Sequence, residues 1–431
     1  MDGQVPRQRL LFLAPIVPGE RGNGLAMRCG FLLAAYARAF QVDLAVIPLA
    51  AGGAELDDFV LSRVRRARIF PAATTDSHFG LIARLKDVEA RRTAFERYGR
   101  PALMSRVTVE LRAELASWCA LETYHVVHVS RLYLAELAAP WLTVHKRNAL
   151  CVLDCDEDES AAHYRIARMR ERAGDREGAV WERMEARAFA RIAAEWLPRF
   201  DCLLAAAPGE SQSLSRRAGS RPVFTIPNTI AVGPLLSKQP RSARRRPRTL
   251  IFVGNMSYAP NVDAVRWFAR SVWPRLRRTM QVPLRLLVVG ADPPVSIMRL
   301  DGCCGIRVSG PVREVAPFYA AADLAIVPLR AGGGTRIKLI EAAERRVPVV
   351  STAFGASGTG LRHGLELLIA EDAAAFAAAC ASLLTKPRRA SAMAARARRR
   401  VRLDYNARFW ARRVIDLIRE LMIDDREPGA W

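Results

Sequence analysis

The sequence predicts an α/β protein of two Rossmann-like parallel-sheet domains facing across a cleft. Short apolar runs alternate with longer amphipathic ones, the pattern of repeated β-α-β units. The alternation lapses over 231–248 and restarts at 249. The 431 residues also exceed the size, about 250–300 residues, at which a single core stops growing.

The first apolar run, "LLFLAPIV", follows Arg7 and Arg9 and imitates a signal peptide. It is short and leads into "PGERGNG", not a small-residue cleavage site, so it is expected to be a first strand. A glycine loop with Gly22 and Gly24 follows, then the helical pattern "LAMRCGFLLAAYARAF". Further strands are expected at 42–49, 124–130, 148–156, 200–207 and 222–228. Continuous Val/Ile/Leu runs bounded by turns suit parallel strands covered on both faces. "AVGPLLSKQPRSARRRPR" (231–248) has no periodicity and is expected to be a linker between domains 1–230 and 249–404. The second half repeats the alternation at 249–254, 284–290, 306–310, 323–329 and 347–352. A last helical stretch, 405–423, comes after the second domain is complete and is placed to pack back on the first.

The composition is globular, with 51% hydrophobic and 25% charged residues. The net charge of +23 is carried almost wholly by Arg; five basic residues are Lys. Such a surface attracts phosphates, nucleic acid and anionic lipid. No aromatic-interleaved basic strand, zinc-finger spacing or arginine-rich tail points to nucleic acid. The eight Cys form no CxxC pair, and several lie in apolar runs, which suits reduced, buried thiols in a cytoplasmic protein. The vicinal Cys303–Cys304 is expected to be structural. No run reaches the ~20 apolar residues of a membrane span.

"PLRAGGGTRIKLIEAAERRVPVVST" (328–352) carries the chemistry. A strand and a helix are joined by Gly332, Gly333 and Gly334, with Thr335 placed to cap the helix. Successive glycines let backbone approach a ligand closely. Arg336 and Lys338 fall in the first helical turn, where the helix dipole opposes each by about 0.3–1 kcal/mol. An anion in the loop reverses that penalty, so a phosphate or pyrophosphate site is expected. The competing reading is a surface pair between Lys338 and Glu341. Glu341, one turn on, suits two hydroxyls, as acidic residues hold a ribose.

"FVGNMSYAPNVDAVRWF", "LRLLVVGADPP" and "IRVSGPVREVAPFYAAADLAIVPLRAGGGTRIKLIEAAERRVPVVSTAFGASG" together resemble the donor-binding half of group 1, family 4 glycosyltransferases, retaining enzymes of the two-Rossmann-domain (GT-B) type. The resemblance covers roughly 248–385. "GNGLAMR" (Gly22, Gly24), "HVSRLYLAELA" and "IPNTI" resemble the family's first half. The resemblance implies that Glu341 binds the donor ribose, that the loop before it contacts sugar and pyrophosphate, and that Ser309, Gly310 and Val312 lie in the turn holding the base. It also implies a metal-free, cofactor-free reaction with retention. Two positions depart from the family pattern. Gly333 stands where a Glu is frequent near the transferred sugar. Asn255 and Asn261, after Gly254, stand where many members carry Arg and Lys, which leaves Arg336 and Lys338 to meet the phosphate charge.

His128 ends "YHVVHVS" and is expected to face the cleft and touch sugar or acceptor. "LDCDEDES" (153–160) contains Asp154 and Asp156; a solvated loop is preferred over a metal site. No G-x-S-x-G, H-E-x-x-H or complete G-x-G-x-x-G is present. The expected function is transfer of a sugar from a nucleoside diphosphate donor to a hydroxyl acceptor, a glycan or lipid-linked glycan, with possible peripheral contact with anionic membrane. The alternatives are a catalytically degenerate anion- or nucleotide-binding protein on this fold, kept open by Gly333, and a nucleic-acid-binding protein, resting on net charge alone.

Overall fold

A computed structural model describes residues 8–49, 55–71, 74–142, 149–230 and 247–424. Among them the strands form two sheets, parallel at every pairing. The first contains β1 (Arg9–Ala14), β2 (Gln41–Val46), β3 (Arg66–Ile69), β4 (Val126–Ser130), β5 (Leu150–Asp156), β6 (Cys202–Ala205) and β7 (Val223–Thr225). The second contains β8 (Arg248–Val253), β9 (Leu284–Val289), β10 (Ile306–Val308), β11 (Leu324–Val327), β12 (Val349–Ser351) and β13 (Leu368–Ile369). Their orders are β3-β2-β1-β4-β5-β6-β7 and β10-β9-β8-β11-β12-β13. Each order reverses beside its first strand, between β1 and β4 and between β8 and β11. Open α/β sheets bind ligands outside the carboxyl ends at that reversal.

The burial pattern explains the unbroken apolar runs. In β1, Leu11 and Leu13 enter one core while Leu10, Phe12 and Ala14 enter another on the opposite face. Strand side chains alternate in direction, so a strand covered on both faces has no polar positions to spare.

The described residues fall into two compact units. One runs to Thr229 and takes in the segment from Ala407 on; the other is Ile230–Asn406. The helix Ala407–Asp424 packs Val414, Leu417 and Ile418 into the core that holds Cys29, Leu32, Leu33 and Tyr36 of the helix Gly24–Tyr36. Most of the expected linker, 231–246, lies outside the described residues, and Arg248 already belongs to β8. Six of the eight free cysteines are buried, as apolar runs demand, but Cys303 and Cys304 are exposed on a short turn. Among the described residues no helix is long and apolar enough to cross a membrane.

Candidate functional site

The second sheet brings the glycine loop and the end of its first strand together. β8 runs into Gly254 and Asn255; β11, its neighbour, runs into the loop 328–336 and the helix Ile337–Glu344. Gly332 has φ +118°, and a Cβ there would stand 2.6 Å from the Tyr258 hydroxyl. That hydroxyl accepts from the Gly333 N–H at 3.2 Å, so the loop folds tightly on Tyr258. Gly334 also has positive φ.

The helix starts one residue later than expected. Arg336 is its N-cap residue, with non-helical backbone, and Thr335 lies outside it; no side chain caps the first turn. Arg336 is 8% exposed. Its guanidinium donates to the Gly333 and Gly334 carbonyls and lies 4.5 Å from the Phe354 ring centroid. It braces the loop that was expected to hold the anion.

Lys338 occupies the first turn. Its half-buried ammonium reaches the end of β8, donates to Asn261 Oδ1 and sits 4.7 Å from the Phe252 ring centroid. Asn261 is held for this purpose, since its Nδ2 donates to the Asn255 carbonyl at 2.7 Å. Gly254 leaves the room: a Cβ there would lie 2.9 Å from Lys338 Nζ. Among the described residues no carboxylate lies within 4.0 Å of Nζ, so the surface pair with Glu341, the competing reading, is not formed. Burial, reinforced by nearby Arg336 and only partly opposed by Glu341, lowers the Lys338 pKa to about 7. This is a half-buried cation at a helix N-terminus with, among the described residues, no carboxylate in contact.

Glu341 lies one turn on, close to Tyr319 and 3.9 Å from Arg345. Burial raises its pKa, and Arg345, Lys338 and Tyr319 pull against that rise. At the end of β10, three strands along the sheet from β11, Ser309 donates to the Gly310 carbonyl, and Gly310 has φ +66°. Ser309 edges a cavity of about 200 Å³ lined also by Leu287, Val289, Asp301, Arg307 and Phe318. Val312 packs against the core of this unit.

The remaining expected residues lie in the other unit. Gly22 has φ +114°, and Asn23 caps the helix that begins at Gly24, its side chain accepting from the Ala26 N–H. His128 departs from expectation. It is fully buried between Phe12 and Tyr36, bonded at 2.9 Å to the Tyr36 hydroxyl. Burial lowers its pKa to about 4. A neutral core histidine, it offers nothing to a ligand in this conformation.

"LDCDEDES" is not a solvated loop either. Asp154 takes a bidentate pair from Arg28, which is also fully buried and donates to the Ile226 carbonyl and Asn228 Oδ1. Asn228 and Arg131 hold Asp156, and Arg131 also reaches Glu157 and Glu159. Arg131 and Asp156 both have positive φ, at the carboxyl ends of neighbouring strands. Burial lifts Glu159 to about 8. Arg28, Arg131, Tyr258 and Tyr319 went unnoticed in the sequence. Arg28 alone left a signal there, as a lone charge within the apolar helix "LAMRCGFLL".

Residues 247–386 match the family model described as glycosyl transferases group 1. A curated relative, an uncharacterized 44.6 kDa protein in the cps region of Klebsiella pneumoniae, is 28% identical over 136 residues, 30% of this chain and 35% of that protein. The match thus spans about a third of the relative's length. Among solved structures, sucrose-phosphate synthase from Thermosynechococcus elongatus superposes with a TM-score of 0.66 at 16% identity, covering 97% of this chain and all of that one. HepE from Anabaena, solved with UDP and glucose, gives 0.61 at 14% identity over 96% of this chain and 100% of its own. TarM of S. aureus, solved with UDP and alpha-GlcNAc-glycerol among its ligands, gives 0.62 at 9% identity over 95% of this chain and 99% of its own. The stretch that matches the group 1 glycosyl transferase model lies in the second unit, and the chain has the GT-B fold of two Rossmann-like sheets. Together these findings support a glycosyltransferase.

Proposed function

We propose that the protein moves a sugar from a nucleoside diphosphate sugar to a hydroxyl acceptor, a glycan or lipid-linked glycan, with retention of configuration. The observation that carries the donor assignment is Lys338: a half-buried ammonium with, among the described residues, no carboxylate in contact, at the helix N-terminus and the carboxyl end of β8. A diphosphate supplies the missing charge. Lys338 and the loop N–H groups then face the negative charge that develops as the sugar–phosphate bond breaks, which is where a preorganised cation lowers a barrier most. Arg336 holds the loop in shape through the Gly333 and Gly334 carbonyls. Glu341 accepts from the ribose hydroxyls. A donor phosphate oxygen takes the acceptor proton, so neither a protein base nor a metal is assigned a step. The basic surface adds reversible contact with anionic membrane, where lipid-linked acceptors reside.

Thermal-shift screening of the full chain against uridine, guanosine and adenosine diphosphate sugars tests the donor assignment, with transfer and hydrolysis assays on whichever stabilises. One base class should raise the melting temperature and release diphosphate. No stabilisation and no release with any of them would overturn the reading. Stabilisation without any turnover would favour the degenerate alternative.

A further inference from the structure

The first unit contains a second pocket that the donor chemistry leaves unused. It measures about 180 Å³ and is lined by Leu103, His163, Trp181, Glu182, Glu185 and Phe189. At about 30 Å³ per water, that is room for about six waters, or one monosaccharide ring.

Its walls come from three segments. His163 lies in the second turn of the helix Glu159–Arg172, which leaves the carboxyl end of β5. Trp181, Glu182, Glu185 and Phe189 lie on the helix Arg176–Trp196 that returns beside it. Leu103 belongs to the turn Ala102–Arg106, in the connection that leaves the carboxyl end of β3. The helix with His163 starts directly at a strand carboxyl end, the side on which such sheets take ligands.

The lining has the chemistry of a sugar site. Trp181, half-buried, is the aromatic wall open to a ligand; Phe189 is 2% exposed and lies behind the lining, stacked on His163 at 5.1 Å. Flat apolar surfaces of this kind suit the C–H face of a pyranose. Polar groups stand beside them. His163 Nδ1 lies 2.7 Å from Glu182, which leaves the other ring nitrogen to be engaged. Glu185 is partly buried and accepts from the Ala102 N–H at 3.2 Å. Glu182 is already balanced by Arg170 at 3.0 Å. With one of its two carboxylates neutralised, the pocket suits a neutral polyhydroxylated ring better than a free cation, which both carboxylates would have to hold.

We infer that this pocket between the helix pair and the turn Ala102–Arg106 is a monosaccharide-binding subsite, holding one ring of a saccharide acceptor against Trp181 with its hydroxyls on Glu185 and His163. Its assignment to the acceptor rests on the glycosyltransferase reading; its binding of sugar does not.

The full chain should therefore show saturation-transfer NMR signals with methyl glycosides of glucose, galactose, mannose or N-acetylglucosamine, at millimolar affinity. Two variants test the location. Glu185→Gln removes the charged acceptor, and Leu103→Trp fills the pocket from its exposed rim without disturbing a core. Each should weaken glycoside binding about tenfold or more at an unchanged melting temperature. Binding that survives both variants overturns the site. So does choline binding in place of glycosides, which would mark a cation site. Nucleoside diphosphate stabilisation is measured on the same samples. Nucleotide binding without glycoside binding sinks the pocket and leaves the donor reading standing; glycoside binding without nucleotide binding does the reverse.

Discussion

Replacing Lys338 by Met separates a ligand-binding ammonium from an ordinary helix residue. Methionine keeps a linear apolar stem and removes the charge. Without donor, that charge is a liability. Its pKa of about 7, against an ordinary 10.5, caps the cost of enclosing it at about 5 kcal/mol, at 1.36 kcal/mol per unit. Water still reaches the half-buried group, which screens much of that cost. The Asn261 Oδ1 left behind loses its partner, which takes back about 1–3 kcal/mol. A net gain of about 1–2 kcal/mol remains, worth a rise of a few degrees in melting temperature for a unit of this size. With donor the balance inverts: losing a cation aimed at transition-state charge costs about 2.7–4 kcal/mol, or 10²–10³ in rate. Differential scanning fluorimetry with and without nucleotide, and turnover of the same preparation, read both quantities. Arg336→Ala is the control, because that guanidinium ties down loop carbonyls. Its loss should lower the melting temperature where Lys338→Met raises it. A Lys338→Met protein with a lower melting temperature and near-normal turnover would refute the reasoning.

Donor affinity should fall as pH rises above about 7, by up to tenfold per pH unit, because the diphosphate needs the charged ammonium and the donor-free protein releases that proton near 7. The sign reverses for donor-free stability. Lys338 is depressed in the fold, so the unfolded chain binds the extra proton and this residue's contribution to stability grows from about pH 7 to about 10.5; affinity titrations and melting curves in matched buffers check both. Glu341→Gln should weaken donor binding by about 1.5–3 kcal/mol, read by calorimetry; unchanged affinity in a folded variant would remove it from the site. Arg28→Met should cost about 3–5 kcal/mol in a denaturant titration, since it strands Asp154 uncompensated in the interior, and a small effect would contradict the buried pair. Turnover should survive EDTA; loss on chelation with recovery in Mn²⁺ would overturn the metal-free mechanism.

The sheets were legible because a strand covered on both faces is mostly apolar, as "LLFLAP" and "LIFV" are. The glycine loop was legible for a similar reason, because few residues tolerate the backbone at Gly332. The ends of the side chains were not. Arg336 caps the helix instead of starting it, with its guanidinium on two loop carbonyls, and nothing in the residue order separates those two positions. His128 looked exposed because it ends an apolar run. Its burial depends on Tyr36, 92 residues away, offering a hydroxyl at the right depth. The acidic "DCDEDES" looked solvated because its cations, Arg28 and Arg131, arrive from other elements.

The return of helix Ala407–Asp424 to the first unit has a consequence for biosynthesis. The chain emerges from the ribosome amino end first, so all seven strands of the first sheet are available before the second unit has been made. Yet Leu32, Leu33 and Tyr36 share their core with Val414, Leu417 and Ile418, which are translated only after the second unit. Until then an oily strip on the nascent first unit stays bare, through the synthesis of the whole second unit. A chain cut short after Asn406 would keep its second unit and leave that strip open for good, and should be found bound to chaperones or in inclusion bodies.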